Sequence, residues 1–562
     1  MKRLVSVLAL AVAVSGVASG CSTSAATVPL HPAGLETGGT LTVGMVGDLI
    51  YADPSLASDV TSTYIANQVV QGLLGLEPGT NSVVVPVLAA ALPTLSDNGL
   101  TYTFKLRSGI KFQDGTDLDA SAVKFNYDRW NAFPKGALQN AASDFGAVFG
   151  GFGQAGNLAS VDAPDPKTVV ITLRKPQSNF LISQANVAFG ILSPSSIQAN
   201  DGNNPTLAKN PYALGTGGQG KAMVGTGPFI FSERVAGDHV TLVRNPSYWD
   251  KTATPYLDRI VFKPFADAAA ASQALQAGSV DMIDAVDPAT LKTMTGSKNM
   301  AVLDRGDSCD ITQLAMYDGD TLNGAANLLS DANVRRAINS ALNKQSYVTD
   351  LYAGAAIVAD NWLPPGALYY KPEYLAGFDV NRAKGYLATA GLAGGKPALD
   401  LWYPSQGIPP SLADPKALAT AVANDLTAIG FTVNLKTEAV ANFTADAAAG
   451  KLQSWIASQT CIWDSADYFL DTAFFHYTSG TPSPEFGYAN ETLNTTMTAA
   501  LSSVDEAAVK TAWQKAQDLV AADMPTVPLL HAKLPAAARS YVHGVVASGN
   551  MVEVLDTVWL AK

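Results

Sequence analysis

The chain has 562 residues, of which 36 are basic and 48 acidic, and its formal net charge is −12 at pH 7. A protein this acidic is not built to bind nucleic acid, nor to lie on anionic lipid through charge. Its 48% hydrophobic and 15% charged content is typical of a globular protein, and its length exceeds what one hydrophobic core usually serves, so two or three lobes are expected.

The N-terminal segment has the features of an export signal. Lys2 and Arg3 precede an apolar run over residues 4–17, and three small residues then lead into Cys21. The run is too short to span a bilayer and ends at a small-residue cleavage site. This arrangement resembles the lipobox of bacterial lipoproteins, in which the cysteine is acylated, although Ala18 replaces the usual leucine. The alternative is an ordinary signal peptide followed by an incidental cysteine.

These features predict an extracytoplasmic protein that is lipid-anchored through Cys21 to the outer face of the cytoplasmic membrane or within a periplasm. Loss of Lys2 and Arg3 with the signal changes the net charge from −12 to −14. Residues 22–39 are rich in Ser, Thr, Ala, Pro and Gly, which is typical of a flexible tether. No later stretch reaches the ~18 uninterrupted apolar residues of a membrane helix, so we expect the mature body to be soluble.

Strand and helix signals alternate along the rest of the chain, as in an α/β or mixed α+β protein. Residues 41–46 predict the first strand, and residues 101–107 predict another because apolar and polar side chains alternate there. Residues 119–121 are able to cap a helix. Residues 505–522 predict an amphipathic helix that ends before Pro525.

A glycine-rich pattern is a poor candidate for a phosphate site. Gly215, Gly217 and Gly220 form a GxGxxG within residues 200–220, which predict a long loop. A phosphate-binding loop needs a buried strand before it and a helix after it. Here Asn- and Pro-rich residues precede the pattern and residues 224–231 predict a strand, so we expect no nucleotide site.

The sequence also gives little evidence of a catalytic site or a metal site. The sequence contains no GxSxG and no HExxH motif, and its five histidines show no ligand spacing with one another or with the cysteines. We therefore expect no cofactor, no metal site and no enzymatic activity. A secreted hydrolase that uses two cleft carboxylates is the less favoured alternative.

Cys309 and Cys461 are the only cysteines after Cys21. In an oxidising exterior, two cysteines form a disulfide more often than they stay free. Such a bond would close a long loop and stabilise the fold by about 4 kcal/mol in the chain-entropy model.

A series of phrases spans nearly the whole mature chain. The first is LTYTFKLRSGIKFQDGTDLDASAVKFNYDRW at residues 100–130. The others follow in order: VGTGPFIF at 224–231, LVRNPSYWD at 242–250, PYLDRIVFK at 255–263, ALQAGSVDMID at 274–284, NVRRAINSALNK at 333–344, FDVNRAKGYLATAG at 378–391 and QKAQDLVAADMPTVPLLH at 514–531. Together they resemble the extracellular solute-binding proteins of ABC importers that include the oligopeptide-, dipeptide- and nickel-binding proteins.

The resemblance implies an α/β, two-lobed venus-flytrap periplasmic-binding-protein fold of the type II kind, with the extra subdomain of the peptide-binding cluster, closing by hinge motion. By analogy, lobe I takes residues 40–60, 194–308 and 527–562. The inserted subdomain takes residues 61–193, and lobe II takes residues 309–526. The Cys309–Cys461 pair falls where some oligopeptide binders carry their own disulfide.

The resemblance also implies a ligand site. Peptide-binding members hold the ligand's α-ammonium with an aspartate just after a strand, and the matching stretch here contains Trp463, Asp464 and Asp467. Asp464 would be the ammonium ligand and Asp467 the second acidic residue, because a desolvated carboxylate offers a buried ammonium charge-assisted hydrogen bonds. Tyr468 stands where the family has proline. The alternative is that Asp464 caps a following helix.

Five further residues are weaker candidates for the ligand cleft. The segment GDLIYADP aligns with a ligand-contacting part of lobe I, and LWYPS ends a strand of lobe II. Aromatic side chains suit varied ligands by stacking, but they are equally ordinary core residues. The candidates are Asp48, Ile50, Trp362, Trp402 and Tyr403.

The sequence therefore predicts a monomeric receptor that captures a short peptide outside the cell and presents it to the permease subunits of an ABC importer. It would do no chemistry itself. No basic residue can be assigned to the peptide's carboxylate, so the same role for an oligosaccharide, an opine, a nickel chelate or haem stays open.

Overall fold

The computed structural model describes residues 37–561, apart from positions 58, 215–222, 307, 373–374, 376, 407–410, 413, 476, 479–480 and 552. The predicted export signal, Cys21, residues 22–36 of the predicted tether and the GxGxxG pattern lie outside the described residues. Within the described ranges, no helix has the length and apolar character needed to cross a membrane.

The first sheet has seven strands and is assembled from distant parts of the chain. Its strand Thr40–Val46 runs parallel to Arg259–Phe265 on one side and to Met282–Ile283 on the other. Leu41 and Val43, two positions apart and so on one face of this strand, are fully buried. In spatial order the strands are Met300–Leu303, Ala536–Arg539, Met282–Ile283, Thr40–Val46, Arg259–Phe265, His239–Arg244 and Phe229–Val235.

The second sheet has six strands. Asp310–Met316 is buried at every position and pairs antiparallel with Ser454–Thr460 and with Val527–Ala532. In spatial order the strands are Ala356–Val358, Val527–Ala532, Asp310–Met316, Ser454–Thr460, Ala398–Pro404 and Thr432–Glu438.

A four-stranded sheet lies in the segment predicted as the inserted subdomain. Tyr102 and Phe104 of its strand Thr101–Lys105 are buried, as the alternating pattern predicts. Asp119 accepts a hydrogen bond from the backbone N–H of Ala122 at 3.0 Å and caps the following helix. The strands in spatial order are Thr94–Ser96, Thr101–Lys105, Thr168–Leu173 and Leu158–Asp165.

Helices and short hairpins complete the described chain. The α-helices are Val60–Val69, Ala120–Asn131, Ala137–Ala141, Ser143–Phe149, Phe180–Ser183, Pro194–Ala199, Ala268–Ala277, Pro288–Thr295, Ala332–Ala341, Lys344–Ser346, Val380–Thr389, Pro415–Ala428, Val440–Ala448, Glu491–Leu501 and Glu506–Asp523. Shorter 3₁₀ or π turns are Pro54–Leu56, Asp97–Gly99, Val187–Phe189, Leu207–Lys209, Leu328–Ser330, Tyr347–Leu351 and Tyr468–Phe475. The two-stranded pairs are Leu74–Leu76 with Val84–Pro86, Thr321–Leu322 with Ala325–Ala326, Tyr477–Thr478 with Thr481–Pro482, and Val542–His543 with Trp559–Leu560.

The ends of most elements predicted from local sequence lie within a few residues of their observed positions. The helix predicted over residues 505–522 is Glu506–Asp523, and Asp505 caps it through the backbone N–H of Ala508 at 2.8 Å. It ends at Met524, whose φ of +53° breaks the helix before Pro525. The strand predicted over residues 224–231 begins later, at Phe229.

The chain crosses between the two large sheets twice. It leaves the first sheet after Leu303 and enters the second at Asp310, and it returns between Ala532 and Ala536. The predicted start of the last lobe I segment at residue 527 is therefore too early, because Val527–Ala532 pairs within the second sheet. We propose the predicted division of the chain with this one boundary moved to residue 533.

Candidate ligand-binding site

A cavity of about 1620 Å³ lies between the parts of the chain that carry the two large sheets. Its wall includes residues 46–48, 284–285 and 287–288 from the first-sheet side, residues 74–81 from the inserted segment, and residues 458–464 from the second-sheet side. Sites for drug-sized ligands usually occupy roughly 300–1000 Å³. The cavity therefore has room for a ligand of several residues with its water.

Asp464 lies on this wall in the loop that follows the strand Ser454–Thr460. The residue is 2% exposed. Its backbone carbonyl accepts a hydrogen bond from the N–H of Leu368 at 2.9 Å, which holds the loop in place. The carboxylate is thus desolvated, close to a large cavity and on a fixed backbone, which is what recognition of a ligand's cationic group requires.

Asp467, three residues further on, has a different environment. Its carboxylate accepts hydrogen bonds from Trp463 Nε1 at 2.7 Å, from Ser465 Oγ and from Asn179 Nδ2. The residue is 1% exposed, and burial raises its pKa although these hydrogen bonds act in the opposite direction. It is not among the described residues that line the cavity. Its contacts instead join the second-sheet side to the inserted segment through Asn179.

Trp463 itself lines the cavity beside Tyr468. The two rings meet edge to face with centroids 5.2 Å apart. The Tyr468 hydroxyl donates to the carbonyl of Thr460 at 2.9 Å and accepts from Gln459 Nε2 at 2.7 Å. Sequence reasoning noted Tyr468 only as a departure from the family's proline, so its position at the wall was missed.

Asp48 and Ile50 also line the cavity, on the side of the first sheet. Asp48 Oδ2 accepts hydrogen bonds from Arg234 Nη2 at 2.7 Å and from the backbone N–H of Gly237 at 3.1 Å. The charge of Asp48 is therefore already compensated. Ile50 is 38% exposed, which makes it an apolar surface available to a ligand.

The three remaining aromatic candidates are not among the cavity-lining residues that the structure describes. Trp362 is fully buried and donates from Nε1 to Thr526 Oγ1 at 2.7 Å. Trp402 packs under the Lys436 ammonium, which lies 5.3 Å from the ring centroid. Tyr403 is partly buried against the same hydrophobic core. Trp362 is therefore a core residue and not a cleft residue, whereas Trp402 and Tyr403 are half-buried and pack against the core.

Cys309 and Cys461 lie side by side at the cavity wall. Their Cα atoms are 5.5 Å apart, within the spacing that a disulfide requires, and the Cys461 N–H donates to the Cys309 carbonyl at 2.8 Å. The two sulfur atoms and a carboxylate oxygen of Asp464 all lie within 4.8 Å of one another. Such a trio can ligate a metal only when the two cysteines are free thiolates.

The charged side chains of the described cavity wall are all acidic. Ten of the described lining residues are acidic, and none of those described is lysine, arginine or histidine. Burial raises the pKa of Asp144, Asp284 and Asp556 to about 6 each. Sequence reasoning missed most of this acidic set, because its members are far apart in the chain. They are Asp48, Asp59, Glu77, Asp144, Asp267, Asp284, Asp287, Asp464, Glu553 and Asp556.

Two large sheets on either side of one large cavity are the arrangement of a two-lobed periplasmic binding protein, and solved structures share this fold. DppA from Helicobacter pylori, in complex with peptide STSA, superposes with a TM-score of 0.74 at 23% identity, over 94% of this chain and 99% of that chain. HbpA2 from Haemophilus parasuis superposes with a TM-score of 0.78 at 23% identity, over 93% of this chain and 100% of that chain. The predicted fold class is confirmed.

The model of the bacterial extracellular solute-binding proteins, family 5, matches residues 83–481, and the chain belongs to that family. Among curated proteins, the glutathione-binding protein GsiB of Salmonella paratyphi A is 27% identical over 506 residues, covering 88% of this chain and 89% of that protein. GsiB of Escherichia coli O1:K1 is 27% identical over 503 residues with the same coverage. The protein is a substrate-binding protein of the ABC-importer class.

Proposed function

We propose that the protein is a lipid-anchored, extracytoplasmic receptor that captures a short peptide between its lobes and delivers it to the permease of an ABC importer. The observation that carries this proposal is the buried carboxylate of Asp464 at the wall of a cavity with room for several residues. A peptide's α-ammonium reaching this carboxylate exchanges its water for charge-assisted hydrogen bonds. Extended peptides bind further through main-chain hydrogen bonds, which are independent of sequence.

Related proteins support the assignment of a peptide as the ligand, but they also include proteins that bind other kinds of ligand. Similar proteins are named for binding glutathione or are described in complex with the peptide STSA or with Met-Leu. Two proteins of the same fold are described in complex with agropinic acid and with Ni(L-His). The fold therefore serves chemically different ligands, and the side chains of the cavity decide among them.

The anchor and the cross-link belong to the same proposal. Cleavage before Cys21 and acylation of its thiol would hold a monomeric receptor at the membrane through the tether of residues 22–39. The export that this requires places Cys309 and Cys461 in an oxidising compartment, where their 5.5 Å Cα separation suits a disulfide. Labelling of cells with a radioactive fatty acid, and loss of the label in Cys21→Ser, tests the anchor.

Native mass spectrometry of the purified mature protein, with release and identification of its co-purified ligand, tests the ligand class. We expect a set of short peptides. A single opine, sugar, nickel chelate or haem would overturn the peptide proposal and keep the receptor role. Release of cleavage products from added peptides would instead favour a hydrolase and overturn the receptor proposal.

A further inference from the structure

Asp284 is a buried carboxylate on the wall opposite Asp464, on the first-sheet side of the cavity. It follows the strand Met282–Ile283, lines the cavity and is 5% exposed. Its backbone N–H donates to the Gly44 carbonyl at 3.1 Å, so its position is fixed by the sheet. Its Oδ1 atom is buried and has no hydrogen-bond partner among the described residues. A buried carboxylate oxygen in this state is costly until a donor reaches it.

The nearby Arg305 is already committed to another carboxylate. Its Nε and Nη2 donate to the two carboxylate oxygens of Glu553 at 2.5 and 3.0 Å, and both side chains are fully buried. Its Nη1 donates to the backbone carbonyls of Asp284 and Leu534. The guanidinium of Arg305 therefore pairs with the Glu553 carboxylate and not with that of Asp284. One guanidinium beside two carboxylates leaves one excess negative charge at this end of the cavity once Asp284 is ionised.

Three helices begin at the cavity wall, where their positive ends would otherwise attract an anion. Each has an aspartate at its N-cap. Asp59 accepts from the N–H of Ser62 at 2.8 Å, and Asp267 accepts from the N–H of Ala270 at 2.8 Å. Asp287 occupies the same position before Pro288–Thr295. These carboxylates neutralise the positive ends of the three helices. None of the three helix ends is therefore a favourable place for a ligand's carboxylate.

We propose that the cavity selects ligands of net positive charge, in which one cationic group contacts Asp464 and a second contacts Asp284. This inference rests on the proposed function and names its substrate class: short peptides that carry a lysine, arginine or ornithine side chain besides the α-ammonium. Such a ligand joins the carboxylates of the two lobes and so favours the closed arrangement over the open one.

The experiment is isothermal titration calorimetry of ligand-stripped mature protein with alanine tripeptides that carry one lysine or one glutamate at each of the three positions. Trialanine is the neutral reference, and spermidine is a non-peptide source of the same ammonium chemistry. We expect at least one lysine peptide to bind about tenfold or more tightly than trialanine, and the glutamate peptides to bind more weakly than trialanine.

Each outcome separates this inference from the proposed function. Equal affinity for lysine, alanine and glutamate peptides would overturn the charge selectivity and leave the peptide receptor intact. Binding of spermidine without any peptide would support a cationic ligand and overturn the peptide proposal. If neither the peptides nor spermidine bind, both the charge selectivity and the peptide proposal are overturned.

Asp284→Asn tests the residue itself because it keeps the shape of the side chain and removes the charge. We expect it to lower the affinity for the best lysine peptide about tenfold more than it lowers the affinity for trialanine. Asp320→Asn, on the exposed surface and away from the described cavity wall, is the matched control. If Asp284→Asn does not fold, salt dependence of wild-type binding decides: the lysine peptide must weaken more steeply with salt than trialanine.

Discussion

Trp463 Nε1 donates a 2.7 Å hydrogen bond to Asp467 Oδ2, and this contact gives two neighbouring carboxylates different roles. Asp467 is satisfied within the protein by Trp463, Ser465 and Asn179. Asp464, on the same loop, lies at the cavity wall. Asp467 supports the structure around the site, and the proposed function assigns the ligand to Asp464.

Asp464→Asn should weaken binding of a short peptide by about 2–5 kcal/mol, because the ligand's ammonium then loses its charged partner after paying for desolvation. Calorimetry with the peptide identified by mass spectrometry measures this change, and Asp320→Asn again serves as the control. Affinity of Asp464→Asn within about twofold of the wild type would contradict the assignment.

Asp467→Ala should act on stability. It removes a buried acceptor of three hydrogen bonds and leaves their donors unsatisfied, so we expect the free energy of unfolding to fall by about 2–4 kcal/mol. Thermal unfolding followed by circular dichroism reports the loss. Asp320→Ala, at the exposed surface, is the matched control substitution. An unchanged unfolding temperature together with a large loss of peptide affinity would show that Asp467 contacts ligand after all.

Binding of a cationic peptide should weaken as the pH falls. Burial raises the pKa of Asp284, Asp144 and Asp556 to about 6 each in the unliganded protein. Above pH 6 these groups are mostly charged and attract a cation, whereas below pH 6 they are mostly protonated and neutral. Affinity for a lysine peptide should therefore drop between pH 7.5 and pH 5, with a smaller change for trialanine.

Asp284→Asn should reduce this pH dependence, because it removes one of the three titrating carboxyls. Calorimetry at four pH values in buffers of equal ionic strength measures the effect. A lysine-peptide affinity that rises with acidity would show that these carboxyls do not act on the ligand.

Glutathione should bind poorly, even though several curated relatives are named for it. At neutral pH it has two carboxylates and one ammonium, and the described wall offers acidic side chains and no basic one. A like charge in a low-dielectric cleft is strongly unfavourable. Competition between glutathione and a lysine peptide of the same length is the measurement, and displacement by equimolar glutathione would refute the expectation.

In the native mature protein, neither Cys309 nor Cys461 should have a free thiol, because the proposed disulfide joins the two. Titration with a thiol reagent under denaturing conditions, on a chain that starts after Cys21, should detect two thiols only after reduction. The double substitution Cys309→Ala with Cys461→Ala should lower stability by about 2–4 kcal/mol. Two thiols in the unreduced protein would contradict the disulfide.

Local features of this chain were predictable because their causes lie within a few residues. The alternation that buries Tyr102 and Phe104, and the capping of a helix by Asp119, depend on side chains adjacent in sequence. The predicted export signal and the collinear family phrases are also properties of the linear chain. From these, the sequence alone determined the family, the two-lobed fold and the expected place of Asp464.

Only the tertiary structure decided which side chains share one cavity and which are buried elsewhere. Asp464 and Asp284 meet at the same cavity from segments 180 positions apart, and no local rule connects them. Trp362 is buried in the core, where the distant Thr526 accepts its hydrogen bond. Val527–Ala532 belongs to the second sheet because it pairs with the strand Asp310–Met316. Burial and charge of a side chain depend on what distant segments pack against it, which is why the acidity of the site emerges only once the chain is folded.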